Sequence, residues 1–292
     1  MSTGESGPAG PVLVTGGTGT LGRQVVRKLL ARGRAVRVLS RRTHPEIGAP
    51  ARAGGSAGTG EGLAVPEWAT GDLTSGAGLD AAVTGVASVV HCATTGTRKD
   101  VVGTQRLTEA LSRSGGSPHL VYISIVGVDL VPFFYYRAKL EAERVVQGSG
   151  LPWTVLRATQ FHDLIARLTA AQRWLPVTLF PAGLSFQPVE VEEVAERLVE
   201  LALGPPQGRV PDMGGPEVRT SRELARLTLR AYGRRRPLLP VPLAGKAARG
   251  YRAGHHMTPP HDMTEAAHAA GHTTYAEYLA ATARPVRDRR GR

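Results

Sequence analysis

Val12-Leu13-Val14-Thr15-Gly16-Gly17-Thr18-Gly19-Thr20-Leu21-Gly22 decides how the rest of this chain is read. A short apolar run enters a turn with glycines at Gly16, Gly19 and Gly22, and an amphipathic segment follows. The chemistry of a phosphate-binding turn needs glycine at these places for steric reasons. Gly16 permits the tight turn, Gly19 lets the backbone approach a pyrophosphate, and Gly22 lets the helix pack closely on the sheet. The helix start then offers unpaired N–H groups and a partial positive charge to the phosphates. Glycine-rich turns are common by themselves; the position between strand and helix gives this one its weight. Gly16, Thr18, Gly19, Thr20, Leu21 and Gly22 are therefore expected to hold a dinucleotide.

The pattern outward from the turn agrees. Leu21, Val25 and Leu29, with Val26 and Leu30, recur at helical spacing to about Arg32, and Gly33 stands where a C-terminal cap belongs. Strand signals follow at 36–39, 68–72, 87–92, 120–126 and 153–156, alternating with helical ones at 79–83, 101–111 and 135–147. Such alternation predicts an α/β fold, a Rossmann-type doubly wound parallel sheet. Residues 43–66 are rich in Gly, Ala, Pro and Ser without periodicity and read as a mobile surface loop. The expected organisation is a tail at 1–10, a dinucleotide-binding domain at 11–160, a smaller C-terminal substrate lobe at 161–284, partly interleaved with the first, and a basic tail at 285–292. The lobe carries helical patterns at 191–203 and 221–232.

The second strand ends Val38-Leu39-Ser40-Arg41-Arg42, without the carboxylate that holds a ribose 2′-hydroxyl in NAD-specific sites. A hydroxyl and two guanidiniums suit a 2′-phosphate, because planar arginine donors match phosphate oxygens. Ser40, Arg41 and Arg42 thus favour NADP(H) over NAD(H). Asp72 and Leu73, at the end of the third strand, are placed to meet the adenine, although Gly-Asp pairs also make ordinary turns. Ala93 and Thr94 follow the fourth strand, where a small residue lets the cofactor pass over the backbone.

Tyr135 and Lys139 are four apart on a predicted helix and share a face. An ammonium ion beside a phenol favours the phenolate, which makes the tyrosine a better proton donor and acceptor. Ser124, at the end of the fifth strand, would orient a carbonyl or hydroxyl. Together they form the expected catalytic set, with Tyr136 as a competitor for the tyrosine's place. The cofactor would carry the hydride and the protein the proton and the geometry.

Composition bounds the alternatives. The 292-residue chain is 41% hydrophobic, enough for a sizeable core. No apolar run approaches the roughly 18 residues of a membrane span, and residues 1–11 lack the layout of a secretory signal. With a single cysteine, Cys92, no internal disulfide can form, so a cytoplasmic setting is expected. The net charge of +12 is largely arginine spread along the chain, dense only at Arg234-Arg235-Arg236 and in the tail from Arg287. No base-reading motif accompanies it, so no specific nucleic-acid partner is expected. His255, His256, His261, His268 and His272 gather late, but no cysteine and few carboxylates join them and Pro259-Pro260 interrupts the stretch, so no metal site is assigned. Phe161, His162 and the apolar stretch Trp174 to Phe180 either wall a pocket or build the lobe's core.

The order of these motifs resembles the NmrA-like NAD(P)H-binding group of the atypical short-chain dehydrogenase/reductases. The carriers are residues 12–22, Leu39-Ser40-Arg41-Arg42, Gly71-Asp72-Leu73, residues 121–129, 135–139 and 153–157, residues 186–195, and Gly214-Gly215-Pro216-Glu217. The likeness spans most of residues 11–245. It implies cofactor binding through Gly16, Gly19 and Gly22, with Arg41 near the 2′-phosphate and Asp72 near the adenine. Two departures stand out: the Ser124-to-Tyr135 interval is shorter than in the group's active enzymes, and Arg157-Ala158-Thr159-Gln160 lacks a Pro-Gly step. The expected function is an NADP(H)-dependent reductase or dehydrogenase of a small organic carbonyl or alcohol. The alternatives are a non-catalytic NADP(H)-sensing regulator and a sugar-nucleotide epimerase or dehydratase. Substrate identity and homo-oligomerisation are left open.

Overall fold

The computed structural model describes residues 10–42, 65–258 and 271–283. Residues 1–9 of the expected tail at 1–10, most of the 43–66 loop, His261, His268 and the basic C-terminal tail lie outside those residues. A seven-stranded sheet is built from β1 (Val12–Thr15), β2 (Val36–Ser40), β3 (Glu67–Thr70), β4 (Ser88–His91), β5 (His119–Ile125), β6 (Trp153–Ala158) and β9 (Gly208–Arg209). Its order is β3-β2-β1-β4-β5-β6-β9. The strands run parallel, with β1 pairing β2 on one side and β4 on the other. The doubly wound α/β expectation holds.

The order reverses between β1 and β4. In open parallel sheets the crevice at that point, outside the carboxyl ends of the strands, takes the ligand. Helix α1 (Thr20–Ala31) leaves β1 through the glycine turn and buries Leu21, Val25 and Leu29, the face its periodicity marks. It stops because Gly33 turns left-handed, with φ of 66°. Four further helices are α2 (Leu79–Val83), α3 (Lys99–Arg113), α4 (Phe134–Gln147) and α6 (Val191–Leu203).

The chain forms two compact units, neither contiguous in sequence. The first is Met1–Ile123, Ala138–Val155 and Ala195–Val210; the second is Ser124–Arg137, Leu156–Val194 and Pro211–Arg292. The first unit's core gathers Leu13, Leu79, Leu107, Leu111, Leu120, Tyr122 and Val146. The second unit contains α5 (His162–Ala171), α7 (Ser221–Ala231), α8 (Lys246–Arg252) and α9 (Tyr275–Thr282). It also holds two small sheets, β8 (Ser185–Phe186) with β10 (Arg219–Thr220), and β7 (Thr178–Pro181) with β11 (Leu238–Val241). Its core packs Ala166, Leu224, Tyr275 and Leu279. Two-residue strands such as β8, β9 and β10 are too short to leave a period in the sequence. Of the apolar stretch 174–180, Phe180 is buried but Trp174 is 82% exposed, so that tryptophan is no part of the core.

Candidate dinucleotide and acid–base site

Three glycines close the turn after β1. Gly16 has φ of 69°, and a β-carbon there would stand 2.7 Å from the Ala93 nitrogen. At Gly22 it would stand 2.2 Å from the Gly16 carbonyl oxygen, and at Gly19 3.2 Å from the same oxygen. Gly17 is equally constrained, with Val38 Cγ1 at 2.7 Å, and the triplet pattern does not mark it. The Gly16 carbonyl accepts from the Gly19 N–H at 2.9 Å. Gly19 is the N-cap of α1, so no side chain caps this helix start, and its first turn carries no acid. Bare backbone at the positive end of a helix fits a diphosphate. Thr18 and Gly19 are exposed, Thr20 half-buried and Leu21 buried.

Ser40 ends β2, and its hydroxyl oxygen accepts from the Arg42 N–H at 3.1 Å. Arg41 and Arg42 are exposed. Asp72 follows β3 and half-occupies itself in a turn, its Oδ1 accepting from the Thr74 N–H at 2.8 Å. Leu73 packs against the first unit's core.

Residues 94–96, after β4, are held by an aspartate that periodicity does not reveal. Asp100, in the first turn of α3, accepts from Thr94 Oγ1 at 2.7 Å, from Thr95 N and Oγ1 at 2.6 and 2.7 Å, and from Gly96 N at 3.1 Å. Its only sequence signal is an acid at a helix start, because its partners sit in irregular chain. A second unanticipated link joins this loop to the glycine turn. His91 Nδ1 lies 2.6 Å from Thr15 Oγ1, and His91 Nε2 lies 3.0 Å from Thr104 Oγ1. Thr104 donates to the Asp100 carbonyl at 2.7 Å, and Thr15 Oγ1 accepts from the Ala93 N–H at 3.3 Å. Burial holds His91 neutral, lowering its pKa to about 3, with the nearby Lys139 ammonium acting in the same direction. Burial also pushes the Cys92 thiol up to about 12, which disfavours its thiolate.

Lys139 is 4% exposed. Its Nζ donates to the Ile123 carbonyl at 2.7 Å and stands 4.2 Å from the Tyr122 ring centroid. Burial lowers its pKa to about 8, against the opposing pull of Asp100, Cys92 and Glu143. The sign of the resulting pH dependence follows. Below pH 8 the folded protein carries the full cost of a buried ammonium. Between about 8 and the ordinary lysine value near 10.4, the unfolded chain binds a proton that the folded chain does not, so stability rises with pH. In urea titrations without cofactor, wild type is expected to gain about 2 kcal/mol over Lys139→Met between pH 8 and 10. A difference that stays flat across that window would refute the lowered pKa of Lys139 in the folded protein.

Tyr135 is half-buried and lies one helical turn before Lys139 on α4. Tyr136 is buried, and its hydroxyl oxygen accepts from Tyr251 Oη at 3.1 Å. Burial and that neighbouring phenol raise the Tyr136 pKa well beyond the usual range. Ser124 follows Ile123 on β5 and is 3% exposed, and its Oγ has no hydrogen-bond partner among the described residues. His162 is wholly buried, Nε2 3.0 Å from the Thr273 carbonyl oxygen and its ring stacked on Tyr278 at 5.3 Å, so it belongs to the core. Among the described residues no three His, Cys, Asp or Glu side chains converge as metal ligands.

A parallel sheet whose switch point carries an uncapped glycine turn defines a Rossmann dinucleotide-binding protein. The chain belongs to the NAD(P)H-binding family, which it matches over residues 16–202. It is 30% identical over 233 residues to the (4-alkanoyl-5-oxo-2,5-dihydrofuran-3-yl)methyl phosphate reductase of Streptomyces griseus subsp. griseus, covering 76% of this chain and 74% of that one. It is 29% identical over 252 residues to the chloroplastic divinyl chlorophyllide a 8-vinyl-reductase of Oryza sativa subsp. indica, covering 80% of this chain and 61% of that relative. The NADPH-dependent quinone oxidoreductase of Escherichia coli, solved with NADPH, shares the fold with a TM-score of 0.73 at 18% identity, over 92% of this chain and 99% of that one. The chain is thus a reductase-like member of an NAD(P)H-binding family. No helix among the described residues is long and apolar enough to cross a membrane.

Proposed function

We propose that this protein is an NADPH-dependent reductase of a small organic carbonyl compound, acting in the cytoplasm, of the atypical short-chain type with NmrA-like motif order. The observation that carries the reading is Lys139: a buried ammonium one turn from a half-buried phenol, in a chain that begins with a dinucleotide turn. Gly16, Gly19 and Gly22 would hold the diphosphate, Ser40, Arg41 and Arg42 the 2′-phosphate, Asp72 and Leu73 the adenine end, and Ala93 and Thr94 the stretch beyond. Bound NADPH supplies the hydride.

Tyr135 donates the proton to the carbonyl oxygen as charge develops there. Lys139 favours the phenolate left behind and so lowers the cost of that transfer. The unsatisfied Ser124 hydroxyl is suited to donate to the same carbonyl oxygen, which would satisfy a buried polar group otherwise left unpaired. Tyr136 is a poorer candidate because its hydroxyl is already engaged by Tyr251.

NADPH consumption, followed optically against a panel of quinones, aldehydes, ketones and unsaturated lactones, tests the reading. Turnover with at least one carbonyl class is expected. Tight cofactor binding without any turnover would favour a cofactor-sensing regulator, and cofactor retained through purification with no net oxidation would favour epimerase-type chemistry. The 2′-phosphate assignment has its own measurement. Arg41→Ala with Arg42→Ala should weaken NADPH binding about tenfold or more and leave NADH binding unchanged. Equal losses for both cofactors would count against NADP selectivity.

A further inference from the structure

The second unit contains a cavity of about 290 Å³ lined by Arg222, Arg226, Arg230, Arg234, Arg235 and Arg236, together with Leu229 and Leu238. We propose that this cavity binds a compact oligophosphate anion. The site goes beyond the reductase reading and does not rest on it.

Two elements build the charge independently. Arg222, Arg226 and Arg230 repeat every four residues along α7, so they form a stripe on one face, with about 6 Å of helix rise between neighbours. The other three arrive on the segment between α7 and β11. Arg236 Nη1 donates to the Gln172 and Leu175 carbonyls at 2.8 Å each, and Arg234 lies over the Tyr232 ring at 5.8 Å. These two are therefore fixed as a wall by neutral partners that leave their charge uncompensated.

The remaining four arginines are exposed, and none has a carboxylate in hydrogen-bond contact among the described residues. The nearest acid on α7, Glu223, is occupied in a capping box, its Oε2 accepting from Thr220 N at 2.9 Å and from Thr220 Oγ1 at 2.7 Å. Like charges one turn apart on a helix repel, so the stripe opposes α7 unless a counter-anion joins it. Arginine-rich composition alone accounts for scattered guanidiniums. It does not account for six of them lining one cavity with no carboxylate among the lining residues.

Guanidinium forks match phosphate oxygens two at a time. Several forks around one small cavity favour a ligand with phosphates closely spaced along a short chain. The limited volume favours a free oligophosphate or a diphosphate ester over the backbone of a nucleic acid, which shares the chemistry but not the size.

Calorimetric titration of tripolyphosphate into the full chain tests this, with NADPH saturating so that the glycine turn is not the acceptor. Wild type should bind, and Arg222→Gln/Arg226→Gln/Arg230→Gln should bind about tenfold or more weakly. NADPH affinity and melting temperature should not fall in the variant, which shows that it is folded. Absent binding by wild type, or equal binding by the variant, overturns the proposal. So does sulfate binding as well as tripolyphosphate at matched ionic strength. An oligothymidylate that binds where tripolyphosphate does not would also overturn it and assign the surface to nucleic acid. Because the three substituted arginines lie outside the glycine turn, the comparison is informative even if NADPH fails to bind.

Discussion

Gly22→Val is expected to weaken NADPH binding by about a hundredfold or more, the loss of nearly 3 kcal/mol of binding free energy. A β-carbon at this position would fall 2.2 Å from the Gly16 carbonyl oxygen, which is backbone and cannot swing aside. The turn must therefore move, and with it the N–H groups that would face the diphosphate. A misfolded variant would mimic the loss, so two companions accompany it. Gly19→Ala meets only the Gly16 oxygen at 3.2 Å, a crowding the fold can absorb, yet places a methyl group where the backbone must approach phosphate. It should remain folded and still lose affinity. Gly33→Ala has φ of 66° and nothing within 4 Å, so it carries strain away from the site and should bind NADPH normally. If Gly19→Ala and Gly22→Val are folded and bind like wild type, the diphosphate lies elsewhere.

The second large effect is on turnover. Tyr135→Phe should lower kcat about a hundredfold, the usual scale for loss of a general acid, while the NADPH dissociation constant stays within a few-fold. Tyr136→Phe is the contrast. It removes the hydroxyl bonded to Tyr251 and should cost about 1 kcal/mol of stability with little change in kcat. A reversal of the two results would transfer the acid role to Tyr136. Unchanged turnover in Tyr135→Phe would leave the phenol with no part in the chemistry.

The first half of the fold is legible in the chain because its signals are local. The run Val12 to Thr15, the spacing of Leu21, Val25 and Leu29, and the stop at Gly33 each act within a few residues, and the structure has β1, α1 and the turn in those places. The glycine turn is legible for the same reason: steric demand falls on one residue at a time. Gly17 escapes because its constraint comes from Val38, on the neighbouring strand. Asp100 escapes because its carboxylate serves Thr94, Thr95 and Gly96 in chain without period. His91 reads only as the end of a strand until Thr15 and Thr104 are brought to its two nitrogens.

The same limit explains the second half. Arg222, Arg226 and Arg230 are an ordinary solvated helix face in the sequence, and Arg234 to Arg236 an ordinary basic run. Only folding sets them around one cavity. Ser124 likewise looks like any strand serine until its burial leaves the hydroxyl without a partner.

What the amino-acid order determined by itself is therefore the parallel α/β sheet, the dinucleotide turn and the four-residue spacing of Tyr135 and Lys139, all written in periodicity and backbone sterics over short distances. Tertiary structure alone decided which polar groups are dry. Burial takes the Lys139 ammonium and the His91 imidazole out of water, and desolvation, not sequence neighbourhood, sets their protonation.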